Sequence, residues 1–163
     1  MQKFIQSIPD FPKQGVIFQD IFPLLKNNFA KTIDELSTLI PDAQLFDYVA
    51  GIESRGFILA SALAYKWQKG LIPIRKKGKL PPPTVSIKIS LEYGEEELEM
   101  PRGNGRLLLV DDVIATGGTL DGAIKLAKEA GYEANNILAL IYLKNLNTNL
   151  DHQSHNIYTL FNF

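Results

Sequence analysis

Residues 106–120 read RLLLVDDVIATGGTL. Arg106 leads a continuous apolar run over 107–110, short enough to be one strand of a parallel sheet buried on both faces. Asp111 and Asp112 follow at its carboxyl end. Two adjacent carboxylates there are costly unless they meet hydroxyls, a cation or other donors. In open α/β sheets, ligands sit outside the carboxyl ends of the strands. The stretch then closes on Ala115, Thr116, Gly117, Gly118 and Thr119, just ahead of an amphipathic helical pattern. The glycine pair permits a tight turn with bare N–H groups close to a ligand. The threonines add hydroxyls, and the start of the next helix adds unpaired N–H groups and the positive end of its dipole. The result is an anion cradle of phosphate size beside two acceptors. A sugar phosphate satisfies both, with vicinal hydroxyls on Asp111 and Asp112 and phosphate on 115–119. A lone pair of aspartates would read as a cap and a lone pair of glycines as a turn. The ordered series of strand, carboxylates, loop and helix separates this stretch from both. No Gly-Lys-Ser/Thr is present, so it is not a Walker-type loop.

Composition bounds the rest. The chain has 163 residues, 45% hydrophobic and 21% charged, which suits one globular domain with a real core. A net charge of −1 gives no broad nucleic-acid or membrane footprint. With no cysteine, disulfides and thiolate metal sites are excluded. His152 and His155 stand in a polar stretch and read as solvated loop residues. The N-terminal residues have no apolar core of signal-peptide length, and no apolar run approaches a membrane span. The expectation is a cytoplasmic protein without membrane or nucleic-acid partners.

Working outward, residues 1–20 contain Pro9, Pro12 and Gly15 and read as an irregular opening segment packed on the body. Helical spacing is clear from Phe29 onward and ends at Pro41. Residues 46–52 read as a strand. It leads into Glu53-Ser54-Arg55-Gly56 and a helical run over 57–68, a second strand end with a polar turn able to hold an anion. Residues 71–74 form a third strand, followed by Arg75, Lys76, Lys77 and Lys79 around Gly78. If the sheet is parallel, these cations converge on the rim that holds Asp111, where a polyanion such as diphosphate is the natural partner. Residues 84–90 and 95–100 read as two arms of an antiparallel hairpin turning near Tyr93-Gly94, polar enough to be a mobile flap outside the core. A helix over 118–130, stopped by Gly131, a buried strand over 136–143 and a final strand over 157–163 complete the chain. The alternation predicts an α/β domain with a mainly parallel sheet.

Five segments, IPDFPKQGVIFQDI, GIESRGF, RKKGKLP, LEYG and VDDVIATGGT, occur in this order. Together they resemble the adenine phosphoribosyltransferases of the type I phosphoribosyltransferase family, across nearly the whole chain. The resemblance implies a type I fold over 1–163, with a flexible hairpin hood at about 79–101. It implies transfer of the 5-phosphoribosyl group from phosphoribosyl diphosphate (PRPP) to adenine, giving AMP and pyrophosphate in purine salvage. A homodimer is also implied, with apolar N-terminal residues as a candidate contact.

By the same resemblance, Asp111 and Asp112 bind the ribose hydroxyls and 115–119 the 5′-phosphate. Ser54, Arg55, Gly56, Arg75, Lys76 and Lys79 serve the pyrophosphate. Mg²⁺ is expected to be held mainly by PRPP, with Asp111 and Asp112 reaching it through water. Phe18 and Leu143 sandwich the purine, the Ile17 backbone pairs with its edge, and Gln19 stands beside it. Glu92, Tyr93 and Arg55 form the catalytic set, Glu92 relaying the purine proton when the hood is shut. In the family this turn often carries a non-proline cis bond, and Ser54-Arg55 is the candidate position. The chain departs from the family pattern at Gln19, where Arg is usual, and at Tyr142, where Glu is usual. Glutamine keeps a donor but loses the charge and fork of arginine. Two alternatives stand beside this reading: a phosphoribosyltransferase for a 6-oxopurine, and a noncatalytic PRPP sensor.

Overall fold

In the computed structural model, residues 1–91, 94–146 and 154–163 are described. The chain forms nine strands and three α-helices among these residues. In order they are β1 (Gln6–Pro9), β2 (Ile17–Asp20), α1 (Phe22–Thr38), β3 (Tyr48–Ile52), α2 (Gly56–Trp67), β4 (Gly70–Lys76), β5 (Thr84–Leu91), β6 (Gly94–Pro101), β7 (Gly105–Ile114), α3 (Gly118–Ala130), β8 (Tyr132–Tyr142) and β9 (Asn156–Asn162). Strands β1 and β2 form a small antiparallel sheet. The others form a seven-stranded sheet in the order β5-β6-β4-β3-β7-β8-β9. Its five central and distal strands, β4 to β9 in that order, are parallel, while β6 runs antiparallel to β4 and β5 antiparallel to β6. Among the described residues no helix is long and apolar enough to cross a membrane.

The apolar run of 107–110 forms the middle of β7, and its four side chains are fully buried. Alternation sends Leu108 and Val110 to the face covered by α1 and α2. Leu107 and Leu109 go to the face covered by α3. Helices on both faces explain why this strand lacks polar alternation. Burial of each such side chain stabilises the fold by about 1.5–3 kcal/mol, an upper range because real unfolded chains are already partly collapsed.

Two expectations are corrected here. Residues 1–20 are irregular only in part: Gln6 pairs with Asp20 and Pro9 with Ile17, around an irregular connection over 10–16. Pro9 ends an edge strand, where the missing N–H costs no ladder bond. The hairpin of β5 and β6 is likewise not a flap outside the core. Arg75 and Lys76 of β4 pair with Glu99 and Leu98 of β6, so the arm continues the main sheet. Val85, Ile89, Leu98 and Met100 are buried against α3.

The chain leaves β3 through α2 to β4 on one side. It later returns to β7 on the other side of β3. Between β3 and β7 the order of strands reverses. Such a switch point opens a crevice at the carboxyl ends, because the two connections depart in opposite directions.

Candidate active site

Three segments meet at this crevice: the 53–56 turn after β3, the 75–80 loop after β4, and residues 111–119 at the end of β7. Strand β7 outruns β3. Its pairing with β3 ends at Val110, while its pairing with β8 continues from Asp111 to Ile114. The two aspartates therefore lie within the assigned strand, but on the part that rises beyond its neighbour. That step puts carboxylates at the crevice without breaking the sheet.

The main-chain N–H of Asp112 donates to Asp111 Oδ1 at 2.9 Å. Arg55 Nε lies 2.7 Å from Asp112 Oδ2. The contact lacks hydrogen-bond alignment, and Oδ2 is buried without a hydrogen-bond partner. Arg55 also donates through a terminal nitrogen to the Gln19 carbonyl at 2.8 Å, and its guanidinium lies 4.5 Å from the Phe18 ring centre. One side chain thus joins the β3 turn, the end of β7 and β2. Burial pushes the Asp112 carboxyl up, and the attraction of Arg55 does not fully offset it. Asp111 keeps a partial opening to solvent, beside a cleft of about 70 Å³ that it shares with residues 113–120. Crowding by protein atoms and the adjacent Asp112 charge push its carboxyl well above the usual range.

The 115–119 loop is bent by Gly117, whose φ of +87° disfavours a side chain and ends the loop at the first turn of α3. No side chain caps this helix, so its first N–H groups face the loop. Helix α3 runs from Gly118 to Ala130 with Gly131 as its cap, as the pattern predicts. Gly56 meets the site from the other side. A Cβ there would stand 2.9 Å from the Val110 carbonyl oxygen and 3.0 Å from Asp111 Oδ1. A non-proline cis bond lies at Glu53-Ser54, one residue before the candidate position.

The basic loop is brought to the same rim, with three cations already paired. Arg75 reaches Glu53 Oε1 at 3.2 Å, and Lys76 Nζ reaches Glu96 Oε1 at 2.7 Å. The Lys76 main-chain N–H donates to Glu53 Oε2 at 2.8 Å. Lys77 pairs with Glu97. These acidic partners come from distant segments and were not legible as partners in the basic run.

A larger cavity of about 440 Å³ opens beside the loop. Ile17 and Gln19 line one part, Leu143 and Phe163 another, and Ala115, Thr116 and Thr119 the part formed by the loop itself. Phe18 is not among its lining residues; Phe11 packs edge-on against it at 5.1 Å and Arg55 covers it. Gln19 is only 7% exposed, and its side-chain oxygen accepts from the Ser7 hydroxyl at 2.9 Å. Ser7 and Phe163 are parts of this neighbourhood that sequence patterns missed, because Ser7 lies on the short strand β1 and Phe163 just after β9. Glu92 and Tyr93, expected at the tip of the hairpin, lie outside the described residues, as does His152. Among the described residues no cluster of three or more His, Asp or Glu could hold a metal. The donor set is two adjacent carboxylates, one facing Arg55, which fits a magnesium ion that arrives on a diphosphate.

The phosphoribosyl transferase domain model matches residues 24–162. An adenine phosphoribosyltransferase from Hydrogenovibrio crunogenus is 48% identical over 91% of this chain and 88% of its own. The chain belongs to the adenine phosphoribosyltransferase family. The crystal structure of the Thermoanaerobacter pseudethanolicus family member superposes with a TM-score of 0.91 at 37% identity, covering 99% of this chain and 97% of that one. The Giardia lamblia member, solved in complex with 9-deazaadenine, gives 0.89 at 32% identity over 99% and 95%. The family fold is thus the type I fold expected from the resemblance.

Proposed function

We propose that this chain transfers the 5-phosphoribosyl group of PRPP to adenine, releasing pyrophosphate and forming AMP. The observation that carries this reading is the continuity of the 440 Å³ cavity with the phosphate loop through Ala115, Thr116 and Thr119. A base in the cavity and a phosphate on the loop then share one ribose between them, above Asp111 and Asp112.

The roles follow from chemistry. The 5′-phosphate takes the N–H groups of the 115–119 loop and the start of α3. The ribose hydroxyls donate to Asp111 and Asp112, satisfying the unpartnered Oδ2 of Asp112. Ser54, Arg55, Gly56, Arg75, Lys76 and Lys79 surround the diphosphate, whose arrival exchanges carboxylate partners for phosphate oxygens. Adenine lies between the Ile17–Gln19 wall and Leu143, with Phe18 supporting the wall. The bond from C1 to the diphosphate oxygen breaks with its electron pair on the leaving group, through a state with oxocarbenium character. Purine nitrogen then bonds to C1, and its proton passes to Glu92, with Tyr93 closing the site. Asp111 and Asp112 would help hold a Mg²⁺ ion brought by PRPP, which would supply charge neutralisation on the diphosphate. Water exclusion by the hairpin protects the cationic sugar from hydrolysis.

Residues 1–163 act as one domain with a hood at about 79–101. A homodimer in the cytoplasm completes the proposal. The exposed Ile8, Phe11, Ile17 and Phe22 support an apolar contact near the N-terminus.

The test is pyrophosphate release from PRPP and Mg²⁺ with adenine, hypoxanthine or guanine in separate reactions. Release with adenine alone is expected. Release only with another base would refute the substrate while retaining the chemistry. PRPP binding without release for any base would make the chain a sensor.

A further inference from the structure

Glu99 is a buried acid to which the reaction gives no role. It lies on β6 between Leu98 and Met100, which face the core beneath α3. The alternation of the strand sends Glu99 to the opposite face, where it is only 3% exposed. Among the described residues it makes no ion pair. Instead, one oxygen accepts the main-chain N–H groups of both Lys79 and Leu80, each at 2.7 Å. The other faces the Thr84 hydroxyl at 3.3 Å. Burial raises the Glu99 carboxyl, but these donors outweigh it and leave it below its usual range.

A charge in this place is a poor device for stability alone. An ionised carboxylate taken from water is costly, and an apolar residue of similar size often serves packing equally well. What the carboxylate does provide is a fixed backbone for a loop whose four cations repel one another. Glu53 holds the beginning of that loop through Arg75 and the Lys76 N–H. Arg75 in turn donates to the Lys79 carbonyl at 3.3 Å. Glu99 holds its end.

We propose that Glu99 is a positioning residue for the diphosphate subsite, fixing the 78–80 backbone so that Arg75 and Lys79 meet the leaving group. The inference rests on the phosphoribosyl-transfer reading above. It separates diphosphate binding from AMP binding, because AMP uses the phosphate loop, the aspartates and the base cavity but not the basic loop.

The experiment compares the unmodified chain with Glu99→Gln and Glu99→Asp. The readouts are KM for PRPP, KM for pyrophosphate in the reverse reaction, kcat, and Kd for AMP by calorimetry. Glu99→Gln keeps the shape and can leave an amide oxygen on the Lys79 and Leu80 N–H groups with its NH2 toward the Thr84 hydroxyl, but it removes the charge that strengthens these bonds. It is expected to raise both the PRPP and pyrophosphate KM at least tenfold while AMP Kd stays within twofold. Glu99→Asp retains the charge and should recover part of the loss. Should Glu99→Gln not fold, Glu99→Asp carries the test, with at least a threefold rise in pyrophosphate KM expected at unchanged AMP Kd. A pyrophosphate KM within twofold of the unmodified chain would overturn the proposal, as would an AMP Kd that rises in parallel. Failure of the unmodified chain to bind PRPP would overturn the functional reading and this inference together. Normal binding with no change in the variants would overturn this inference alone.

Discussion

Asp112→Asn separates a binding role from a structural one. The side chain is almost buried, with Arg55 Nε 2.7 Å from Oδ2. Charge centres about 4 Å apart attract by about 4 kcal/mol at an effective dielectric of about 20. Against this stands a desolvation cost of several kcal/mol per ion. The upward push on the Asp112 carboxyl shows that burial prevails. Arg55 would keep its bond to the Gln19 carbonyl and its place over Phe18. The two effects largely cancel, so the ligand-free variant should change by no more than about 1 kcal/mol. For a domain of this size that is roughly 2–4 °C in Tm. PRPP affinity should instead fall by about 1–3 kcal/mol, because a charged acceptor for a ribose hydroxyl is lost. At about 1.4 kcal/mol per decade this is roughly 5- to 150-fold in Kd. Calorimetric titration with Mg²⁺ and PRPP, alongside thermal unfolding, reads both quantities. A PRPP Kd within twofold of the unmodified chain would refute the assignment. A large fall in Tm would refute the cancellation argued here.

The aspartate pair also predicts a pH dependence. Both carboxyls are held above their ordinary value of 3.8, so the folded chain binds these protons more tightly than the unfolded chain. Their destabilising contribution is therefore present at neutral pH and relieved as pH falls through the raised values. Between neutral pH and about 4.5, Asp111→Asn/Asp112→Asn should lack this gain, and identical slopes of Tm against pH would exclude it. Below that window the sign reverses. Glu53, Glu97 and Glu99 are held below 4.5, and hydrogen bonds from the Arg106 side chain hold Asp47 at about 2. Gly56→Ala places a methyl against the Val110 carbonyl, which cannot rotate away. A loss of about 1–3 kcal/mol is expected, with weaker PRPP binding; wild-type Tm and Kd would show that α2 and β7 are less tightly apposed. Glu92→Leu should lower kcat far more than it weakens PRPP binding, and a wild-type kcat would remove Glu92 from the mechanism.

The central stretch was legible because its signals are local. An apolar run, paired carboxylates, two glycines and a helical repeat each impose their own geometry. The bounds of α3 accordingly match the pattern. Failures came where partners are distant. The charged character of EEELEM suggests a solvated arm, yet Glu96 and Glu97 meet Lys76 and Lys77 across the sheet. Glu99 turns inward to the 79–80 backbone. The prolines of residues 1–20 suggest a break, whereas Pro9 is tolerated at an edge. Within the candidate site, the converging segments were readable, while the linkage of two of them to β2 by Arg55 depends on tertiary structure.

The stepped rim has an evolutionary consequence. The ligand-facing segments belong to different strands, so changes in one reach the others mainly through shared contacts such as those of Arg55. The aspartates lie on β7 and the 115–119 loop follows it, whereas the rest of the cavity wall comes from β2, Leu143 after β8, and Phe163. On the proposed function, selection can therefore reshape recognition of the acceptor base while leaving the sugar-phosphate half in place. Gln19 lies on the exchangeable side of that division, and Asp112 on the inherited one.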